Sequence, residues 1–198
     1  MIYIIAGCPL SGKTTLAREL SNLTKIPYIS TDDLSILFTY YTKYSLFEGS
    51  NYYKYYETSS LETIRRDHLF YQQKMGEMLI HFLKTKLLQE ESLIIEGFVF
   101  SSAVLDHLPS EQTRAICLIM DEQLLRTRYN NTTCFSRKKE DRILFDQKYI
   151  DKLLWLNNSN KTMCQSQNIP IIIVNNNASM LSAACKLLNI SEFNATQE

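Results

Sequence analysis

The residues from Gly7 to Thr14 match the pattern G-x-x-x-x-G-K-[ST], which forms a phosphate-binding loop in many proteins. An apolar run precedes the pattern and a helical pattern follows it, which is the context that this loop requires. The glycines let the backbone curl so that its N–H groups point into an anion-sized nest, and the helix N-terminus adds partial positive charge. We therefore predict a nucleotide site formed by Gly7, Cys8, Pro9, Leu10, Ser11, Gly12, Lys13, Thr14 and Thr15.

The side chains of this loop are expected to have different roles. Lys13 can reach the β- and γ-phosphates, the Thr14 hydroxyl can bind Mg²⁺, and Thr15 can contact the α-phosphate. Cys8 and Pro9 are predicted to shape the loop, and a redox role for Cys8 is the alternative.

Carboxylates follow two other apolar runs of the chain. Asp32 and Asp33 come after the run that ends at Ser30, and Glu96 closes a later run. A buried strand rarely ends in a charge without a reason, so Glu96 is predicted to order water around Mg²⁺ or to bind a phosphate acceptor. Two structural alternatives stay open: Asp32 or Asp33 could cap a helix that begins at Leu34, and Glu96 could simply reach solvent.

Five short and continuous apolar runs predict buried parallel strands at 2–6, 27–30, 93–96, 115–120 and 169–174. Helical periodicity separates these runs, and the predicted helices are 14–23, 70–89, 121–129, 145–167 and 178–188. Because strands and helices alternate, we predict a single α/β domain over residues 1–198, with three layers α/β/α around a five-stranded parallel sheet.

A phosphate loop identifies a nucleotide site but not a reaction, so other motifs must decide the class of protein. The chain lacks the Asp-x-x-Gly and Asn-Lys-x-Asp motifs of GTPases, since the nearest string, at 160–163, has no aspartate. It also lacks an ABC-type signature and is short for an AAA+ ATPase module. These exclusions leave the small kinases.

Three segments carry a resemblance to the nucleoside-monophosphate-kinase-like P-loop family. They are 7–15, Ser-Thr-Asp-Asp at 30–33 and Leu-Ile-Ile-Glu-Gly at 93–97. Within this family the chain is most similar to 2-phosphoglycerate-kinase-like proteins, and its first two segments also resemble phage-type polynucleotide kinase. The resemblance implies a P-loop NTPase fold with a helical insert and a lid, and a kinase that uses ATP and Mg²⁺.

The resemblance also implies roles for individual residues. Asp32 would approach the acceptor hydroxyl and take its proton, or help to order water on Mg²⁺. The lid would lie at 126–145, where Arg137 and Arg142 would bind the transferred phosphate and Arg126 would stack on adenine. The alternative for each of these arginines is a solvated basic face.

The stretch 35–67 fits the alternation of strands and helices less well, and the resemblance places the acceptor site there. Its tyrosines, between Tyr40 and Tyr56, could stack on a base or a sugar, but packing of the insert onto the domain is the favoured interpretation. Arg65 and Arg66 keep a phosphorylated acceptor possible. The three histidines show no metal spacing, and Trp155 is predicted to pack against a helix or the core.

The composition of the chain limits which partners and which cellular compartment we expect. The chain has 21 basic and 21 acidic residues, so its charge gives no sign of a nucleic-acid footprint. Its five cysteines are scattered, and we see no signal peptide and no apolar run of about 18 to 20 residues, so we expect a cytoplasmic protein. The leading hypothesis is ATP-dependent phosphate transfer to a small molecule. A polynucleotide 5′-end kinase and a nucleotide-binding regulator without transfer activity remain alternatives.

Overall fold

Five strands and eight helices make up the computed structural model, which describes residues 1–42, 52–97, 100–132, 143–175 and 180–190. The strands are β1 (Ile2–Gly7), β2 (Tyr28–Ser30), β3 (Leu93–Gly97), β4 (Thr113–Met120) and β5 (Ile171–Val174). The helices are α1 (Lys13–Thr24), α2 (Thr31–Thr42), α3 (Tyr52–Thr58), α4 (Leu61–Leu88), α5 (Ser102–Leu105), α6 (Glu122–Asn131), α7 (Ile143–Ser166) and α8 (Met180–Leu187).

All the strands are parallel and form one sheet in the order β2-β3-β1-β4-β5. Strand β3 lies between β2 and β1, although the helices α2, α3 and α4 separate it from both in sequence. In this register Glu96 of β3 lies beside Ile5 of β1 on one side and beside Ser30 of β2 on the other. Because parallel strands end at the same edge, the segments that follow β1, β2 and β3 meet there.

Helices cover both faces of the sheet, because successive strand residues point to opposite sides. On one face Ile5 and Leu118 pack with residues of α1 and α8. On the other face Ile4 and Cys117 pack with residues of α4 and α5. The expected three layers and five-stranded parallel sheet are therefore confirmed.

The described residues of the insert are mostly helical, and the start of the next long helix, which we predicted at residue 70, was wrong. Helix α4 begins at Leu61, because the Ser60 hydroxyl accepts a hydrogen bond from the backbone N–H of Thr63 (3.1 Å) and so caps the helix. The charged run Arg65-Arg66-Asp67 hides the apolar periodicity of these first turns in the sequence. The described part of the insert therefore includes the first turns of α4, at 61–67.

Parts of the predicted insert and lid fall outside the described residues. They are 43–51 of the insert and 133–142 of the lid, the latter with Arg137 and Arg142. None of the described helices combines the length and the apolar character needed to cross a membrane.

Candidate active site

The loop between β1 and α1 has the backbone conformation of a phosphate nest. Gly7 has a φ of 148° and Gly12 a φ of 94°, in the region that favours glycine, and Leu10 between them also has a positive φ of 70°. A Cβ atom at Gly7 would lie 2.8 Å from the carbonyl oxygen of Leu118, so the neighbouring strand also requires glycine there. The loop ends where α1 begins, at Lys13. The sequence motif thus has the strand–loop–helix geometry that anion binding needs.

Lys13 is buried against its own loop. Its Nζ donates a hydrogen bond to the carbonyl oxygen of Cys8 (2.9 Å), and 8% of the residue is exposed. A lysine ammonium has three N–H donors, so this group can hold the carbonyl and bind a phosphate oxygen at the same time. The loop therefore holds the positive charge at the rim of the nest instead of leaving it free in solvent.

Thr14 and Glu96 meet across the edge of the sheet. The Thr14 hydroxyl donates to a carboxylate oxygen of Glu96 (2.9 Å), although 82 residues separate them in the chain. Glu96 is 2% exposed, so the alternative that it simply reaches solvent was wrong. The hydrogen bond commits the Thr14 proton to Glu96, which leaves the hydroxyl lone pairs available to a cation.

Asp32 lies in the first turn of α2 at the same edge. The backbone N–H of Asp32 donates to the Ser30 hydroxyl (3.2 Å) and α2 begins at Thr31, so the alternative of an aspartate cap on a helix starting at Leu34 was wrong. Partial burial raises the pKa of the Asp32 carboxyl, Lys13 acts to lower it, and the negative charges of Glu96 and Asp33 raise it further. Although neighbouring groups crowd it, Asp32 keeps enough exposed surface for a ligand to reach it. An open carboxylate with a raised pKa is suited to accept a proton.

The oxygen atoms at this edge are of the chemical kind that Mg²⁺ binds. Thr14, Glu96 and Asp32 supply a hydroxyl and two carboxylates, and Mg²⁺ prefers oxygen ligands of this kind, usually one or two carboxylates with substrate phosphates. Two further hydroxyls, those of Ser11 and Thr31, are buried nearby with no hydrogen-bond partner among the described residues. The carboxylate and hydroxyl oxygens therefore suit a hard cation, and the free hydroxyl groups can donate hydrogen bonds to phosphate oxygens.

Of the two arginines on α6, the structure places Arg128 at the phosphate loop. Its guanidinium donates to the carbonyl oxygen of Leu10 (2.9 Å) and would lie 3.7 Å from a Cβ atom on Gly12. Arg126, the residue that the sequence led us to expect near adenine, forms an exposed ion pair with Glu122 on its own helix (2.8 Å). The expected roles of Arg137 and Arg142 concern residues outside the described part of the chain.

Asn157 of α7 is a residue that sequence reasoning missed. Its side-chain amide donates to the Met120 carbonyl (2.8 Å) and accepts from the Met120 N–H (3.1 Å). It therefore pairs with the backbone at the end of β4 in the way that a residue of a neighbouring strand would. The Cys8 thiol donates to the same amide oxygen (3.6 Å). An asparagine within the apolar stripe of a helix, between Leu153 and Leu156 on one side and Asn160 on the other, was the available signal.

Cys8 is therefore a structural part of the loop. Burial raises the pKa of its thiol to about 11, although Lys13 acts to lower it. A thiol in this state is a poor nucleophile at neutral pH. The contact with Asn157 joins the phosphate loop to α7.

Helix α3, in the tyrosine-rich insert, packs onto α7. Tyr56 is 1% exposed and lies with its ring 5.1 Å from that of Phe145 and 5.4 Å from that of Tyr149, between centroids. Lys152 of α7 donates to the Tyr56 hydroxyl (2.9 Å), and Lys148 donates to the carbonyl oxygens of the last turn of α3 and of Ser59. Packing, the favoured interpretation for these tyrosines, therefore holds for Tyr56.

No protein-family model matches the chain, and no curated protein matches it in sequence. Solved structures do resemble it. A sugar kinase from Janibacter sp. HTCC2649, in an unliganded structure, has a TM-score of 0.60 at 14% identity, covering 96% of this chain and 95% of that one. A gluconokinase from Sinorhizobium meliloti 1021 has a TM-score of 0.54 at 14% identity, covering 94% and 90%.

A deoxyadenosine kinase from M. mycoides with bound dATP has a TM-score of 0.54 at 14% identity, covering 96% of this chain and all 100% of that one. The chain has the fold of the P-loop kinases. At these identities the likeness concerns the fold, and the finer resemblance to 2-phosphoglycerate-kinase-like proteins has no counterpart among these three structures.

Proposed function

We propose that this protein is an ATP-dependent phosphotransferase that moves the γ-phosphate of ATP to a hydroxyl group of a small molecule. One observation carries the proposal. Lys13, the hydrogen-bonded pair Thr14 and Glu96, and Asp32 share the edge of the sheet that follows the phosphate loop. They supply a cation for the phosphates, oxygens for a metal ion and a base for the acceptor, which are the parts that phosphoryl transfer needs.

In the proposed reaction the loop N–H groups and Lys13 hold the β- and γ-phosphate oxygens. Asp32 orients the acceptor hydroxyl and takes its proton as the oxygen bonds to the γ-phosphorus, and the bond to the β–γ bridging oxygen breaks, releasing ADP. The raised pKa of Asp32 favours this proton transfer. Thr14 and Glu96 would hold Mg²⁺, which when bound would neutralise charge on the phosphate oxygens. Ordering water around this ion is the alternative role of Asp32.

Arg128 is our preferred nucleotide-binding arginine. It already donates to the backbone of the loop at Leu10, whereas the guanidinium of Arg126 is engaged by Glu122. For Arg137 and Arg142 the lid role remains the proposal made from the sequence.

A small acceptor is supported by two facts. The compared structures are named as sugar, gluconate and deoxyadenosine kinases, and the balanced charge of this chain offers no broad basic surface for a nucleic acid. We also place the protein in the reducing cytoplasm, in keeping with the buried thiols of Cys8, Cys117 and Cys164, none of which forms a disulfide.

The test is transfer of label from γ-labelled ATP into a fractionated small-molecule extract, in the presence of Mg²⁺. Asp32→Asn is the test variant, and Asp33→Asn, one residue further along the same turn of α2, is the matched control. We expect a labelled product with the wild type and with Asp33→Asn, and a rate lower by about 100-fold or more with Asp32→Asn.

Equilibrium binding of ATP is measured on the same three proteins. Tight binding by all of them with no labelled product in any extract would refute the phosphotransferase and favour a nucleotide-binding regulator. Label that enters only an added 5′-hydroxyl oligonucleotide would instead identify a polynucleotide kinase.

A further inference from the structure

Two adjoining cavities lie between the first turns of α4 and the middle of α7. They have volumes of about 770 Å³ and about 620 Å³, and both are lined by Leu61, Arg65 and Trp155. Asp151, Asn158 and other polar residues of α7 complete the larger one. Volumes of this size suit a small organic molecule. None of these residues belongs to the phosphotransfer centre described above, although Leu61 and Arg65 lie in the stretch 35–67 where the resemblance placed the acceptor.

Arg65 brings an unused hydrogen-bond donor to these cavities. Its Nε is enclosed and has no hydrogen-bond partner among the described residues, and its guanidinium lies over the Trp155 ring, 5.8 Å from the centroid. The neighbouring Arg66 differs, because its guanidinium is bonded to the Asp67 carboxylate (3.1 Å). A buried N–H group without an acceptor is costly, and the fork of an arginine matches a carboxylate or a phosphate.

The larger cavity faces away from the phosphate loop. Trp155, Asn158 and Thr162 line it and follow one another at helical spacing on a single face of α7. Asn157, which contacts Cys8 of the loop, is two residues from Trp155, a step that turns about 200° around an α-helix. Helix α7 therefore stands between this cavity and the loop, and a ligand in the cavity would not touch the transferred phosphate.

One side of the Trp155 indole is covered by a buried histidine. The ring of His68 packs edge-on against the indole at 5.7 Å, and His68 is 1% exposed. Burial, together with the nearby Lys152, lowers the pKa of His68 well below its usual range, so this imidazole is neutral at pH 7. Arg65 is therefore the cation that a ligand in the larger cavity would meet, whereas Arg66 lines the smaller cavity and is paired with Asp67.

We propose that the larger cavity is a second small-molecule site. It binds an organic anion through the guanidinium of Arg65, and Trp155 forms an apolar wall. The ligand class is a carboxylate or a phosphate monoester that also carries hydroxyl groups. Asn158, Ser159 and Thr162 offer hydrogen bonds to such hydroxyls, and Asp151 in the same wall accepts them while opposing a highly charged anion. The site goes beyond the proposed phosphotransfer and does not depend on it.

Trp155 is the only tryptophan of the chain, so its fluorescence reports on this site directly. The full-length protein is titrated with glucose 6-phosphate and with glucuronate, a hydroxylated monocarboxylate, at constant ionic strength, and with glucose as the neutral control. The same titrations are made on Arg65→Gln, on the matched control Arg66→Gln, and on Lys13→Ala/Asp32→Asn, which disables the phosphotransfer centre. Thermal unfolding of each variant establishes that it is folded.

We expect a saturable change in Trp155 emission with at least one of the two anions and none with glucose. Arg65→Gln should raise the half-saturating concentration about tenfold or more, the value for loss of a hydrogen bond to a charged group. The response should persist in Arg66→Gln and in the double variant. If Arg65→Gln does not fold, Arg65→Lys keeps the charge and the aliphatic stem, and we expect it to weaken binding by losing the fork.

Three results would overturn the proposal. The first is the absence of a saturable change with both anions. The second is an unchanged titration curve in Arg65→Gln, or in Arg65→Lys where that variant is the one that folds. The third is loss of the response in Lys13→Ala/Asp32→Asn, which would place the anion at the phosphate loop.

Discussion

Lys13 and Lys152 are equally buried, each with 8% of the residue exposed, yet they belong to regions with different tasks. The Nζ of Lys13 donates to a backbone carbonyl at the edge of the sheet where the strands end. The Nζ of Lys152 donates to the hydroxyl of Tyr56 and also lies over the rings of Tyr56 and Tyr149, at 5.6 Å from each centroid. Both distances to the accepting oxygen are 2.9 Å.

The comparison shows that burial of a lysine does not reveal its role, whereas its partner and position do. Lys13 lies beside Thr14, in a loop with positive φ angles and next to the carboxylates of Glu96 and Asp32, where a phosphate fits. Lys152, on α7, contacts Tyr56 of the insert helix α3, and burial among aromatic rings lowers its pKa to about 8 through desolvation. The first region is built for a ligand, and the second joins two parts of the fold.

The largest effect is expected for Lys13→Ala. This variant should lose about 100-fold or more in phosphotransfer, because the charge that stabilises the phosphate oxygens is removed. Far-UV circular dichroism and the thermal midpoint should stay close to wild type, because the ammonium group serves the loop and its ligand instead of the core. A variant that transfers phosphate at the normal rate, or that unfolds, would remove the distinction between the two lysines.

Glu96→Gln tests whether the buried carboxylate serves a metal ion. The glutamine oxygen can still accept the hydrogen bond from Thr14, so the packing is kept and the negative charge is lost. We expect the Mg²⁺ concentration for half-maximal transfer to rise about 10- to 100-fold, as for other groups that support metal ligands. Asp33→Asn is the control. An unchanged Mg²⁺ dependence in Glu96→Gln would make Glu96 a structural residue.

Arg128→Ala and Arg126→Ala form a matched pair on one helix. Loss of the hydrogen bond from Arg128 to Leu10 should weaken ATP binding about tenfold, measured by equilibrium titration. Arg126 forms an exposed ion pair, worth less than about 1 kcal/mol, and its removal should leave ATP binding and stability nearly unchanged. The reverse order of effects would restore the expectation, made from the sequence, that Arg126 binds the nucleotide.

Lys152→Met should have a small effect, and that effect concerns the pH dependence of stability instead of transfer. Because the pKa of Lys152 is lowered from 10.5 to about 8 in the folded protein, the unfolded state binds more protons between these values and stability rises with pH. From pH 7 to pH 9 the wild type should therefore gain about 1 kcal/mol in free energy of unfolding relative to Lys152→Met.

The measurement is denaturant unfolding of both proteins at the two pH values, and the difference between the proteins removes the contribution of other titrating groups. Equal gains in both proteins would mean that Lys152 keeps its ordinary pKa. Phosphotransfer by Lys152→Met at neutral pH should remain close to wild type. A loss comparable to that of Lys13→Ala would place Lys152 in the active site.

How far the sequence predicted the site can be judged from particular residues. The phosphate loop was predictable because its glycines, Lys13 and Thr14 are consecutive and their conformation is local. The contribution of Asn157 was not predictable, because its partners Met120 and Cys8 lie in other parts of the chain. The choice between Arg126 and Arg128 depends on the orientation of α6 against the loop, which periodicity alone does not give.

The sequence by itself determined the phosphate loop, the five strands and the alternation that makes the sheet parallel, since each depends on neighbouring residues and on continuous apolar runs. Only the tertiary structure decided that Glu96 accepts a hydrogen bond from the Thr14 hydroxyl and that the Arg65 guanidinium lies over the Trp155 ring. Those pairs come from elements far apart in the chain, and they meet because β3 inserts beside β1 and because α4 packs against α7. Local spacing fixes a backbone conformation, whereas contacts between distant elements depend on how the whole core packs.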